Sequence, residues 1–132
     1  MAIIRGTISE DTLTGLAEAD NIQAYAGNDF VDGGEGNDTV NGNAGDDTVF
    51  GGLGNDTVYG AAGQDVVDGG QGSDKVYGGG GNDMVFGGEG ADSLYGGSGN
   101  DTLDGCAGND KVYGGNGADM LVASAGNDTL NG

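Results

Sequence analysis

The sequence has no histidine, proline or tryptophan, only one cysteine, and three basic residues against 22 acidic ones. Without histidine the chain lacks the commonest general base and the commonest transition-metal ligand. One cysteine cannot form an internal disulfide. A formal net charge of -19 excludes nucleic acid as a partner, because phosphate binding needs clustered Lys and Arg. The same charge opposes docking on an anionic membrane surface. No apolar run approaches membrane-spanning length, so no membrane insertion is expected. Met1-Ala-Ile-Ile-Arg5 does not read as a signal peptide, having no apolar stretch of the required length. No nucleophile elbow, Walker motif or EF-hand loop is present, and the chain is not expected to be an enzyme.

What the chain has instead is glycine, 33 of 132 residues. Such a fraction without a period would indicate disorder, but a nine-residue period runs from end to end. Stepping by nine from Asp11 meets Asp at every step to Asp128 without insertion or deletion. Two residues after each Asp stands Leu, Ile or Val. Two residues before it stands Gly, from Gly27 to Gly126. Three columns in phase over this length identify a repeat protein.

Each unit reads as a six-residue glycine-rich turn and a three-residue strand, as in Gly51–Asp56 followed by Thr57-Val58-Tyr59. Alternation along the strand points the central aliphatic residue inward. One aliphatic residue per unit cannot make a core, so inward rows must face each other. If each turn carries the chain across to a second layer, two units make one 18-residue coil. The expected fold is all-β, a parallel β-roll of about seven coils. One row runs Leu13, Val31, Val49, Val67, Val85, Leu103, Leu121. The opposing row runs Ile22, Val40, Val58, Val76, Leu94, Val112, Leu130. Ile4 falls in the same phase, so pairing is expected to begin there.

Stacked coils bring like charges together. Adjacent carboxylates about one strand spacing apart repel by roughly 1 kcal/mol even at the dielectric of water, and Arg5, Lys75 and Lys111 are too few to neutralise them. A hard divalent cation resolves this. Calcium takes six to eight oxygens and accepts carboxylates mixed with backbone carbonyls, whereas magnesium demands strict octahedral geometry. Zinc and copper lack their preferred ligands. Gaps between coils would allow up to about twelve calcium ions, and nine or ten would neutralise the charge.

The unit Gly-Gly-x-Gly-x-Asp-x-aliphatic-x, with clean copies at Gly33–Asn41 and Gly87–Tyr95, closely resembles the hemolysin-type calcium-binding nonapeptide of the RTX (repeats-in-toxin) family. The resemblance covers residues 6 to 132. It implies a β-roll with calcium between successive turns, and type I export as an unfolded chain that folds on extracellular calcium. It also implies carboxylate ligands at Asp29, Asp38, Asp47, Asp56, Asp65, Asp74, Asp83, Asp92, Asp101, Asp110, Asp119 and Asp128. Turn carbonyls would come from Gly33, Gly42, Gly51, Gly60, Gly69, Gly78, Gly87, Gly96, Gly105 and Gly114. The first two units, Gly6–Asp11 and Gly15–Asp20, lack the second Gly and the Gly before the Asp. Residues 1–23 are therefore expected to be a strand and a degenerate capping coil, and residues 24–132 one continuous calcium-binding solenoid. The last full unit departs too, beginning Ala123-Ser124.

Outward positions differ between the two sheets. Tyr59, Tyr77, Tyr95 and Tyr113 form one column, expected to be a stabilising ladder, with glycan contact as the rival role. Phe30, Phe50 and Phe86, with Val66, Met84, Met120 and Val122, mark the other face as a candidate contact for a second copy or a neighbouring domain. Cys106 occupies a glycine position and is expected to be inert. A secreted calcium-binding module is the expected function. The alternatives are an accessory module of a larger secreted enzyme (alginate epimerase, lipase or protease) or a piece of an adhesin.

Overall fold

A computed structural model describes residues 1–132. The chain forms fifteen strands and no helix. The short N-terminal ones are β1 (Ile3–Arg5), β2 (Thr12–Thr14), β3 (Asn21–Gln23) and β4 (Phe30–Asp32). Nine six-residue strands follow: β5 (Thr39–Ala44), β6 (Thr48–Leu53), β7 (Thr57–Ala62), β8 (Val66–Gln71), β9 (Lys75–Gly80), β10 (Met84–Glu89), β11 (Ser93–Ser98), β12 (Thr102–Ala107) and β13 (Lys111–Asn116). The last two are β14 (Met120–Val122) and β15 (Thr129–Asn131).

Odd-numbered strands stack in order into an eight-stranded sheet, even-numbered strands into a seven-stranded one. Every pairing is parallel and joins residues 18 apart, as in Val58↔Val76 and Val49↔Val67. This is the two-sheet roll of 18-residue coils that the nine-residue period requires. β1 pairs with β3 through Ile4↔Ile22, so the stack does begin at Ile4.

The strands of the roll's middle are longer than the three residues read from the sequence. Pairing in β6 and β8 continues past the first glycine column to Gly52↔Gly70 and Leu53↔Gln71. The cause is the stacking itself. Each coil lies in register on the next, so glycine-rich backbone that would be a turn in isolation hydrogen-bonds to its equivalent one coil on. Only three residues per unit, such as Gly54-Asn55-Asp56, stay outside the ladders.

Between the sheets lies a thin aliphatic seam. Ile22, Ala24, Val31, Val40, Val49, Val58, Val67, Val76, Val85, Leu94, Leu103 and Val112 are wholly buried. Ile4, Leu13 and Leu121 pack against it with part of their surface exposed, because an end coil has a neighbour on one side only. Burying a Val or Leu side chain contributes about 1.5–3 kcal/mol. Eleven such residues and Ala24 stabilise a chain that must order 132, so the seam alone is thin support.

Candidate metal centre

Within each turn, position one is the first residue of the hexapeptide and position six the Asp. At position two the backbone has positive φ from Tyr25 to Gly115, for example 101° at Gly70. Glycine adopts this without strain, and Tyr25, Asn43, Ala61 and Cys106 adopt it with a side chain. Position one is glycine for a different reason. A Cβ built on Gly69 would lie 2.7 Å from Asp74 Oδ2 and 2.6 Å from the carbonyl oxygen of Gly87, in the next coil of the same sheet.

The aspartates are buried, not displayed along the edges. Those from Asp20 to Asp110 keep 1–3% of their surface exposed. From Asp29 onward Oδ1 of each accepts the backbone N–H of the Asp 18 residues earlier: Asp38 from Asp20 at 2.7 Å, Asp74 from Asp56 at 2.7 Å, Asp110 from Asp92 at 2.9 Å; Asp20 accepts that of Ala2 at 2.6 Å. Asp128 accepts in the same way from Asp110 at the exposed end. Oδ2 is another matter. In Asp29, Asp38, Asp47, Asp56, Asp65, Asp74, Asp83, Asp92, Asp101 and Asp110 it is buried without any hydrogen-bond partner.

Half-satisfied buried carboxylates disfavour ionisation. Burial, only partly offset by the bond from the preceding amide, pushes Asp56, Asp65, Asp74 and Asp92 up to about 6; the carboxylate one coil away adds to the rise. A buried charge is tolerated when it is paired or coordinates a metal. The orphaned oxygens therefore fit a cation.

A second set of oxygens meets them. The position-one carbonyl of the following coil approaches the spot where the Cβ of Gly33, Gly42, Gly51, Gly60, Gly69, Gly78, Gly87 or Gly96 would stand, and an orphaned Asp Oδ2 approaches the same spot. The carbonyls come from Gly51, Gly60, Gly69, Gly78, Gly87, Gly96, Gly105 and Gly114. No three acidic side chains converge anywhere in the chain, so backbone oxygens have to supply much of any coordination shell. Carboxylate plus carbonyl oxygen, with no nitrogen or sulfur, is the donor set of calcium.

The remaining predicted positions fall short of this arrangement. Asp119 and Asp128 are only half-buried, and neither has a buried, unpartnered Oδ2. At Gly105 and Gly114 the three atoms nearest a Cβ all come from the turn's own Asp, with no carbonyl of a following coil among them. Gly33 and Gly42 do contribute the space beside Asp38 and Asp47, and the Gly33 carbonyl points at Gly15. In the first coil the carboxylates are self-satisfied. Asp11 Oδ2 accepts the N–H of Thr7 at 2.5 Å, and Asp20 Oδ2 accepts the N–H of Leu16 at 2.7 Å. The amides of Ala2 and Leu16 hold Asp20 below the usual carboxylate range.

Sequence reasoning missed a second ladder. The side chain at position five accepts the N–H of its counterpart one coil later: Asn37 from Asn55 at 2.8 Å, Asn82 from Asn100 at 2.8 Å. The recurrence of Asn before Asp was its visible signal. Position six bonds the preceding coil, and position five, where it is Asn, Asp or Ser with a coil after it, bonds the following one, so those turns are tied in both directions.

The surface columns also take definite form. Tyr59, Tyr77, Tyr95 and Tyr113 stack with centroids 4.7–5.1 Å apart and planes within 10°. Their faces cover one another, which leaves edges rather than faces for a sugar ring. On the other sheet Asp32, Phe50, Asp68, Phe86 and Asp104 alternate in register, so the phenylalanines are separated by carboxylates; Phe30 and Phe50 meet at 5.6 Å. Cys106 is partly buried, with its N–H donated to Asp104 Oδ1 at 2.9 Å. Burial pushes its thiol up, away from reactive thiolate.

The RTX calcium-binding nonapeptide repeat matches the chain in four copies, at residues 5–40, 41–76, 77–112 and 95–130. Each copy spans two coils, and together they cover nearly all of the roll. No curated protein matches the chain.

Proposed function

Because the chain belongs to the RTX calcium-binding nonapeptide repeat family, we propose that it is a secreted β-roll whose folding is switched on by extracellular calcium. The column of ten buried, unpartnered Oδ2 atoms carries this reading. Bound calcium would neutralise these carboxylates and gather the turn oxygens around it. The chain's own part is to supply the oxygens: Asp38, Asp47, Asp56, Asp65, Asp74, Asp83, Asp92 and Asp101, each with the carbonyl that shares its glycine cradle. Asp29 and Asp110 stand at the margins of this set, Asp119 and Asp128 outside it. Eight ions would bring the charge from -19 to about -3.

Without the ion the same carboxylates repel each other across every coil boundary, and the aliphatic seam is too thin to hold them together. The chain then stays unfolded where calcium is scarce, which suits passage through a type I exporter, and orders outside the cell. Binding free energy becomes folding free energy, because the sites exist only in the folded roll. Residues 1–23 form the capping coil of this assembly and 24–132 its calcium-binding part. In a longer polypeptide the roll would serve as the accessory module of a secreted enzyme or adhesin. Circular dichroism tests the switch: coil in chelator and β structure in millimolar calcium are expected, and β structure that chelator leaves untouched would refute it.

A further inference from the structure

We infer that the orientation of the peptide between positions one and two decides whether a turn takes part in a calcium site, and that the turns starting at Gly6, Gly15 and Ala123 are closed to calcium. This rests on the calcium reading above and adds which turns it excludes and why.

Position two has positive φ at every turn from Tyr25 to Gly115, but not at Thr7, Leu16 or Ser124. A change of sign at that φ turns the preceding peptide over. Where φ is positive, the position-one carbonyl points toward the preceding coil's glycine cradle. Ala24, Gly33, Gly51 and Gly69 aim theirs at Gly6, Gly15, Gly33 and Gly51. The N–H then points away, and in three turns it is taken up by a side chain two residues earlier: Gly34 by Asp32, Asn43 by Asn41, Cys106 by Asp104.

Where φ is not positive, the consequences are opposite. In the first two turns the N–H of Thr7 or Leu16 points at Oδ2 of its own turn's Asp, and the Thr7 hydroxyl adds a bond at 3.0 Å. The carboxylate lone pairs are occupied, and the positive end of the peptide dipole faces the place a cation would take. In the last turn φ at Ser124 is not positive, and the three atoms nearest a Cβ on Gly105 all belong to Asp110, whose Oδ2 is buried without a partner; the Ala123 carbonyl is not among them, whereas Gly87 has the Gly105 carbonyl at 2.6 Å. One peptide orientation makes an anion cap, the other a cation site. Asn43, Ala61 and Cys106 show that glycine itself is not the requirement; the sign of φ is.

The test counts calcium ions by native mass spectrometry on the full chain at saturating calcium, for the wild type, Ser124→Gly, and Thr7→Gly/Ser9→Gly/Leu16→Gly/Glu18→Gly. Ser124→Gly is expected to take up one more ion than wild type, and the fourfold variant up to two more. Unchanged counts in variants with wild-type circular dichroism would overturn the inference while leaving the calcium reading intact. A wild-type chain that takes up no calcium would sink both. Should the fourfold variant fail to fold, Ser124→Gly at the exposed last turn decides the matter alone.

Discussion

The carboxylate of Asp74 spans a coil boundary: its Oδ1 accepts the backbone N–H of Asp56 at 2.7 Å, while its Oδ2 is buried with no partner. The two oxygens have separate tasks. One fixes the register between coils 18 residues apart, in a bond that needs no ion. The other is left with an unmet demand that a proton or a cation can satisfy. The two answers have opposite pH dependences, and that difference is measurable.

Asp56, Asp65, Asp74 and Asp92 titrate near 6 in the metal-free roll, against about 3.9 in an unfolded chain. Between these values the folded form holds more protons than the unfolded one. Stability of the metal-free roll therefore rises as pH falls from about 7 toward about 4, and is lost as pH rises through about 6. In calcium the sign reverses, since ligands must be deprotonated to bind. Circular dichroism in chelator should show β structure gained on acidification. In calcium, the concentration needed for folding should increase below pH 6. Parallel pH profiles in the two conditions would contradict this assignment.

Interior and terminal aspartates should differ sharply. Asp74→Ala removes a buried Oδ2 that faces the Gly87 carbonyl, whereas Asp11→Ala removes one already bonded to Thr7. The interior change should lower calcium stoichiometry by one and raise the folding midpoint in calcium about tenfold, in line with ~1–3 kcal/mol for a lost charged partner. The terminal change should leave the stoichiometry alone. Equal losses of bound calcium would show that the first coil is a site like the others.

Much of this was legible in advance because the nine-residue period is also the period of the structure. Once Val58 and Val67 had to face inward from opposite layers, the 18-residue coil, the parallel pairing and the two rows followed. Strand length did not. Gly52 and Leu53 look like turn when read alone, and become strand only because Gly70 and Gln71 lie one coil away. The aspartate column was visible in the sequence, but not the division of labour between Oδ1 and Oδ2, which depends on amides 18 residues distant. Thr7 and Leu16 mark where the first turns depart from the glycine pattern, but Tyr25, Asn43, Ala61 and Cys106 depart from it too and keep positive φ. The cause of closure, a peptide turned over, is a matter of backbone angle that no residue type spells out.

The glycines at position one make a second check on the same place. Gly69 has no positive φ, so alanine is conformationally acceptable there. Its methyl group would nevertheless stand 2.7 Å from Asp74 Oδ2 and 2.6 Å from the Gly87 carbonyl. Gly69→Ala should therefore cost one bound calcium by occupying the space between two ligands. Gly80→Ala, where the nearest atom to the new methyl is 3.9 Å away, should leave calcium uptake and thermal stability within about 0.5 kcal/mol of wild type. Calorimetric titration of both variants separates a filled site from a general intolerance of side chains.

The tyrosine column offers a measure of how far the roll is held together by something other than calcium. Tyr77 stacks on Tyr59 at 4.8 Å and on Tyr95 at 4.7 Å, while Tyr113 stacks on Tyr95 alone at 5.1 Å. An aromatic pair contributes about 0.5–1.5 kcal/mol beyond its buried area. Tyr77→Ala should then destabilise the calcium-loaded roll by roughly 1–3 kcal/mol, and Tyr113→Ala by about half as much. Tyr77→Phe keeps both stacked faces and should be nearly neutral, because the ladder works through its rings and not its hydroxyls. Thermal unfolding at fixed, saturating calcium gives all three values. Were the ladder a docking surface with no structural part, all three variants would melt with the wild type; a loss in Tyr77→Phe as large as that in Tyr77→Ala would move the effect to the hydroxyl edge.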